Sequence, residues 1–212
     1  MSLQTWWIFV CAVFLICGTP GPNMLHILTR SLRFGFRRTL AAMAGCMSAI
    51  LIAVSASAAG LSAVLAASPL VFDVLKYAGV AYLIYLGIKA WRDTSPVLIA
   101  EPGADAAPPT TDTSAFALYR GGLLVGLSNP KLLVFAAAFF PQFIDKHAPQ
   151  GPQFAILVAT FVVLESFWYC TYALGGRKLA RLLTRATWQR AFSRLTGVLF
   201  MGFGAALLGY RP

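Results

Sequence analysis

Charge is scarce in this sequence. Of its 212 residues only 11% are Asp, Glu, Lys or Arg, where a soluble domain carries roughly 25%. Acids are the rarest, with seven in all. A soluble domain of this size could not cover its surface with so few. There are two histidines and four cysteines. Cys11, Cys17, Cys46 and Cys170 form no CxxC or Cys/His spacing, which excludes a zinc site and a disulfide framework. No metal and no cofactor is expected. No Ser/His/Asp or HExxH set can be assembled, so the sequence does not read as an enzyme. The alternating ten-residue segments of a membrane β-barrel are missing as well. What is abundant is apolar side chain, 58% of the chain, which excludes disorder.

These proportions predict an all-α integral membrane protein. A crossing helix needs about 20 mostly apolar residues. Six stretches qualify or nearly so: Trp6–Leu28, Thr39–Ala67, Val71–Ile88, Tyr119–Phe143, Phe154–Leu174 and the shorter Leu195–Tyr210. The opening MSLQTWWIFV has no basic n-region, so it reads as part of the first span and not as a cleaved leader. Residues 94–114, TSPVLIAEPGADAAPPTTDTS, break the hydrophobic pattern and read as a flexible cytoplasmic linker. The linker separates residues 1–93 from residues 115–212, each with three spans. An odd number of spans makes the second half enter the membrane in the opposite sense, giving two inverted three-helix repeats.

Thirteen of the seventeen basic residues fall in the first, third and fifth loops. The positive-inside rule then places those loops in the cytoplasm and both termini outside it. The same rule makes the net charge of +10 a matter of orientation and lipid headgroups, with no nucleic acid as partner.

The first and fourth spans each carry a breaker. One contains Gly18-Thr19-Pro20-Gly21-Pro22-Asn23, the other Gly126-Leu127-Ser128-Asn129-Pro130-Lys131. Proline removes a backbone donor, clashes with the carbonyl one turn back, and pushes its predecessor out of helical angles. Freed backbone groups at membrane depth are tolerated only against protein or a wet cavity. Interrupted spans in matching positions of two inverted halves point to a transporter site near the midplane. Pro20, Gly21, Pro22, Asn23, Ser128, Asn129, Pro130 and Lys131 are therefore the candidate substrate-binding residues. The Asn amides both donate and accept, which suits a zwitterionic solute. Taken singly, each break is also what an ordinary kinked membrane helix looks like.

Several stretches resemble the LysE/RhtB family of amino-acid exporters: Pro20 to Leu25 followed by the Arg30–Arg38 cluster, Ala67 to Leu70, Leu75 to Gly87, Gly122 to Lys131, Phe139 to Phe143, and the tail from Arg194 to Gly204. The resemblance covers nearly the whole chain. It implies six helices, a bacterial inner-membrane location, and proton-driven efflux of amino acids or related metabolites. Members often carry an Asp in a Gly-rich stretch of the second span. Here that stretch, Gly45 to Ile50, has no acid.

Glu165 is the one acid deep in a span, and a charge there must face a cavity, be paired or be neutralised. It is the candidate ion-coupling residue; the bland alternative is a structural group at the bundle interior. Trp168, Tyr169 and Tyr172 follow it at helical spacing, and His26 lies one turn after Asn23. These four are candidate pocket-lining residues. Small residues at three- and four-residue steps, including Gly45 in the second span and Gly122 with Gly126 in the fourth, predict close helix packing. A channel or cation exporter of similar architecture is the competing reading, and the short supply of acids and imidazoles speaks against it. The expected partners are a small-molecule substrate, protons and the lipid bilayer. A homodimer is plausible for so small a transporter.

Overall fold

The computed structural model describes residues 1–67, 114–145 and 148–209, with scattered positions between 77 and 92. The predicted linker before Ser114, most of the third span, and Lys146 and His147 lie outside the described residues. Everything described is helix or short connection.

Helix α1 runs Leu3–Gly18, opened by Ser2, whose hydroxyl accepts from the Thr5 amide. It ends because Thr19 precedes Pro20 and takes an extended conformation (φ −72°, ψ 132°). At 1.5 Å per residue α1 is about 24 Å long, short of the roughly 30 Å of a hydrocarbon core. Helix α2, Pro22–Ala67, starts on the second proline, which suits a first helical position because no amide is needed there. Helix α3, Ala115–Leu127, is followed by a second break and then by α4, Pro130–Val134. The chain continues as a π-helical segment, Phe135–Phe139, and a 3₁₀ turn, Phe140–Phe143. Helices α5, Gln150–Thr184, and α6, Ala186–Gly209, complete the order.

The basic segments read as loops from sequence are largely helical. Residues 29–38 lie inside α2, which changes direction at Gly35 (φ 78°, ψ 165°). Most of the run from Arg177 to Arg194 belongs to α5 beyond its bend at Gly176 (φ 48°, ψ −136°) and to the start of α6. Loop length was overestimated because one residue with a backbone conformation open mainly to glycine makes the turn alone. Nothing lies within 4 Å of where a Cβ at Gly35 would stand, so a substitution there acts through the backbone only. Gly35→Ala is expected to lower stability by about 1–3 kcal/mol, read as a lower melting temperature of the detergent-solubilised protein with no change in oligomeric state.

Among the described residues, helices α2 and α3 make the closest crossing. A Cβ on Gly45 would fall 1.9 Å from the Tyr119 carbonyl oxygen, and one on Gly122 would fall 2.1 Å from that of Ala42. The small residues predicted from spacing thus let the two backbones meet. Cys46 Sγ donates to the Gly122 carbonyl (3.3 Å), and Tyr119 and Ser48 share a hydroxyl hydrogen bond (3.0 Å). At the other end of the bundle an aromatic cluster packs α1 against the segment after the second break. Phe9 meets Phe143 edge to face at 5.0 Å, and Phe135 stacks on Phe161 of α5 at 4.8 Å. The outward faces are apolar: Phe116, Val163 and Leu174 are all exposed. Pro22–Ala58 and Gln150–Gly176 are long and apolar enough to cross a bilayer.

Candidate functional site

The two breaks meet. Asn129 caps α4 by accepting from the Lys131 amide at 3.0 Å, which leaves its amide nitrogen free to donate to Asn23 Oδ1 at 2.9 Å. Asn23 Nδ2 donates onward to the Tyr169 hydroxyl at 3.2 Å, and that hydroxyl stands beside the Glu165 carboxyl on the same helix. Asn23, Asn129 and Glu165 are all buried. A buried polar chain of this kind is held in one arrangement, because leaving any member unpaired costs about 1–3 kcal/mol.

A second bridge runs the other way. Lys131 follows Pro130 on the first turn of α4, and its side chain reaches back across the first break. Its ammonium donates to the carbonyl oxygens of Ile16 and Thr19 (the latter at 3.1 Å) and to the Thr19 hydroxyl at 2.6 Å. The Thr19 oxygens lie just past the end of α1, and the Ile16 carbonyl, which also accepts from the Thr19 amide at 3.3 Å, has no amide one full turn on because residue 20 is proline. A cation is favoured there by the helix dipole as well.

Between the bridges lies a cavity of about 30 Å³, room for one or two waters. Gly21, Asn23, Asn129, Lys131 and Glu165 line it, together with Cys17 and an apolar wall that includes Met24, Ile50, Phe135 and Phe161. Five sequence candidates are thus brought together around one space. Pro20, Pro22, Ser128 and Pro130 shape the breaks without lining the cavity, and Ser128 and Pro130 are exposed.

The aromatic candidates stand behind the site. The indole of Trp168 donates to the Phe14 carbonyl and the Tyr172 hydroxyl to the Gly18 carbonyl, each at 2.9 Å. Tyr172 thus satisfies the final carbonyl of α1 and Trp168 braces the turn before it, while Tyr169 holds Asn23. His26 points to α3, its ring against Gly121, and its buried Nε2 has no hydrogen-bond partner among the described residues. Sequence reasoning missed Thr19 and Cys17. Thr19 had a signal, a hydroxyl in the break itself; Cys17 had none beyond its place one turn before the prolines.

Apolar outer faces with two interrupted helices meeting around a small polar cavity make the arrangement in which membrane transporters hold their solutes. The chain belongs to the LysE type translocator family, whose model matches residues 13–211, and is a membrane protein of that transporter family. It is 32% identical to the homoserine/homoserine lactone efflux protein of Salmonella typhimurium over 211 residues, covering 100% of this chain and 99% of that one. The protein of the same description from Salmonella typhi is 31% identical over the same coverage. An uncharacterized membrane protein of Vibrio cholerae is 30% identical over 98% of both chains. No solved structure matches the chain.

Proposed function

We propose that this chain is a secondary transporter that exports amino acids or closely related metabolites across the bacterial inner membrane by alternating access and proton antiport. The observation that carries this reading is the hydrogen bond between Asn23 and Asn129, which joins the two breaks at a cavity lined by one base and one acid. Amides, an ammonium and a carboxyl around one space suit a solute bearing both charges. At about 30 Å³ the cavity is too small for an amino acid, so the solute must enter by separation of the elements around it, as alternating access requires. The breaks fall in the first and fourth predicted spans, which supports two inverted three-helix repeats; the distribution of basic residues supports both termini outside the cytoplasm. Glu165 carries the coupling proton in this reading.

The efflux relatives direct the choice of solute to homoserine and its lactone. Both carry an α-ammonium group, and the lactone has no free carboxylate. Expression in a host lacking its own exporters is expected to raise resistance to homoserine and to speed loss of labelled homoserine from preloaded cells. Equal loss with and without the protein, across a panel that includes the lactone, threonine, lysine and leucine, would overturn the proposal.

A further inference from the structure

The end of α1 is built as a receptor for a primary ammonium group. Three oxygens converge there, the carbonyls of Ile16 and Thr19 and the Thr19 hydroxyl, and they match the three N–H donors of the Lys131 ammonium one for one. Thr19 is only 2% exposed. Its own hydroxyl proton is directed to Ile16 O at 2.7 Å, which turns the oxygen lone pairs to the cation. The receptor borders the cavity, because Ile16, Cys17 and Gly21 line it. Lys131 enters across Gly21: a Cβ on that glycine would sit 3.6 Å from Lys131 Cδ and 3.9 Å from Nζ.

With all three donors engaged, Lys131 has none left for a solute carboxylate, although it lines the same space. We infer that this oxygen cage is the primary-ammonium subsite of the transporter, and that Lys131 occupies it in this conformation as an internal ligand which a solute ammonium displaces. The displaced Lys131 then swings on its flexible stem toward the cavity, where a solute carboxylate or Glu165 accepts it. The role in transport rests on the function proposed above; the receptor itself does not. The cage would hold the α-ammonium that homoserine and its lactone share, leaving the Asn23 and Asn129 amides to the part in which they differ.

The test removes the internal ligand and offers a substitute. Purified Lys131→Ala protein in proteoliposomes is labelled with a maleimide, and modification of Cys17, on the cavity wall, is followed by mass spectrometry. Cys46, fully buried and away from the cavity lining, reports unfolding; Lys131→Ser replaces the Ala variant if Cys46 labels. Ethylammonium is expected to slow Cys17 labelling about tenfold, in keeping with charge-assisted hydrogen bonds in a buried site. Tetramethylammonium, a cation with no N–H, is expected to have no effect. The wild type should not respond to ethylammonium at the same concentration, and Thr19→Val in the Lys131→Ala background should abolish the protection. Failure of ethylammonium to protect, or equal protection by tetramethylammonium, overturns the receptor. Protection without measurable export of any solute in that panel would uphold the receptor and overturn the transport reading, so the two fail separately.

Discussion

Asn129→Ala is expected to reduce export roughly hundredfold while leaving membrane insertion intact. Two losses combine. The Asn129 side chain caps α4, and removal of a cap costs about 1 kcal/mol. The same side chain donates to Asn23 Oδ1, and stranding that buried oxygen costs a further 1–3 kcal/mol or so. Each 1.4 kcal/mol is about a factor of ten, so the sum supports the expected size. Asn129→Ser separates the two parts, because serine caps a helix well but is too short to reach Asn23. If Ser restores export, the cap is what matters; if Ser is as impaired as Ala, the bridge between the breaks is. The proposal requires the second outcome. Asn23→Ala should be similarly damaging, and the double variant should lose less than the two single effects combined, since both remove one shared interaction. Wild-type export by both single variants would refute a site at the breaks.

Glu165→Gln is expected to abolish accumulation driven by a pH gradient in proteoliposomes while preserving exchange of labelled for unlabelled solute. Glutamine keeps the size and hydrogen-bonding capacity of the carboxyl but cannot pick up or release a proton. Glu165 is 6% exposed and lies on α5 at the cavity wall. A carboxylate is costly at such a depth unless the site neutralises it, so its proton and its partners are tied together. Gradient-driven transport that survives the substitution would remove Glu165 from the coupling step. Loss of exchange as well as driven uptake would make it a binding residue and not a proton carrier.

The breaks were legible in the sequence because their cause is covalent. Pro20, Pro22 and Pro130 each lack an amide hydrogen, and Thr19 and Asn129, which precede prolines, take the extended conformations expected of them. The closeness of α2 and α3 was legible for a similar reason, since Gly45 and Gly122 have no side chain to keep the backbones apart. What was not legible depended on partners distant in sequence. The spacing of Trp168, Tyr169 and Tyr172 showed one helix face but not that this face meets the unfinished turn of α1. Lys131 read as a base near a break, and nothing in its neighbours told that it would reach back to Ile16 and Thr19. The directions taken at Gly35 and Gly176 were missed because hydropathy marks where a helix becomes polar, not where it stops.

The π-helical segment gives the second break a property that the first lacks among the described residues. Phe135–Phe139 turns more loosely than an α-helix, and the Ala136 carbonyl accepts from Ser57 Oγ of α2 at 2.5 Å. Tightening that turn to α-helical geometry would rotate everything beyond it by about 100°, one residue's worth of winding. Phe139, Phe140 and Phe143 would be carried away from Phe9 together, in a single step and with no helix unfolded. The slack turn thus sits next to the rigid Asn23–Asn129 clasp, and Ser57 holds it in the register seen here.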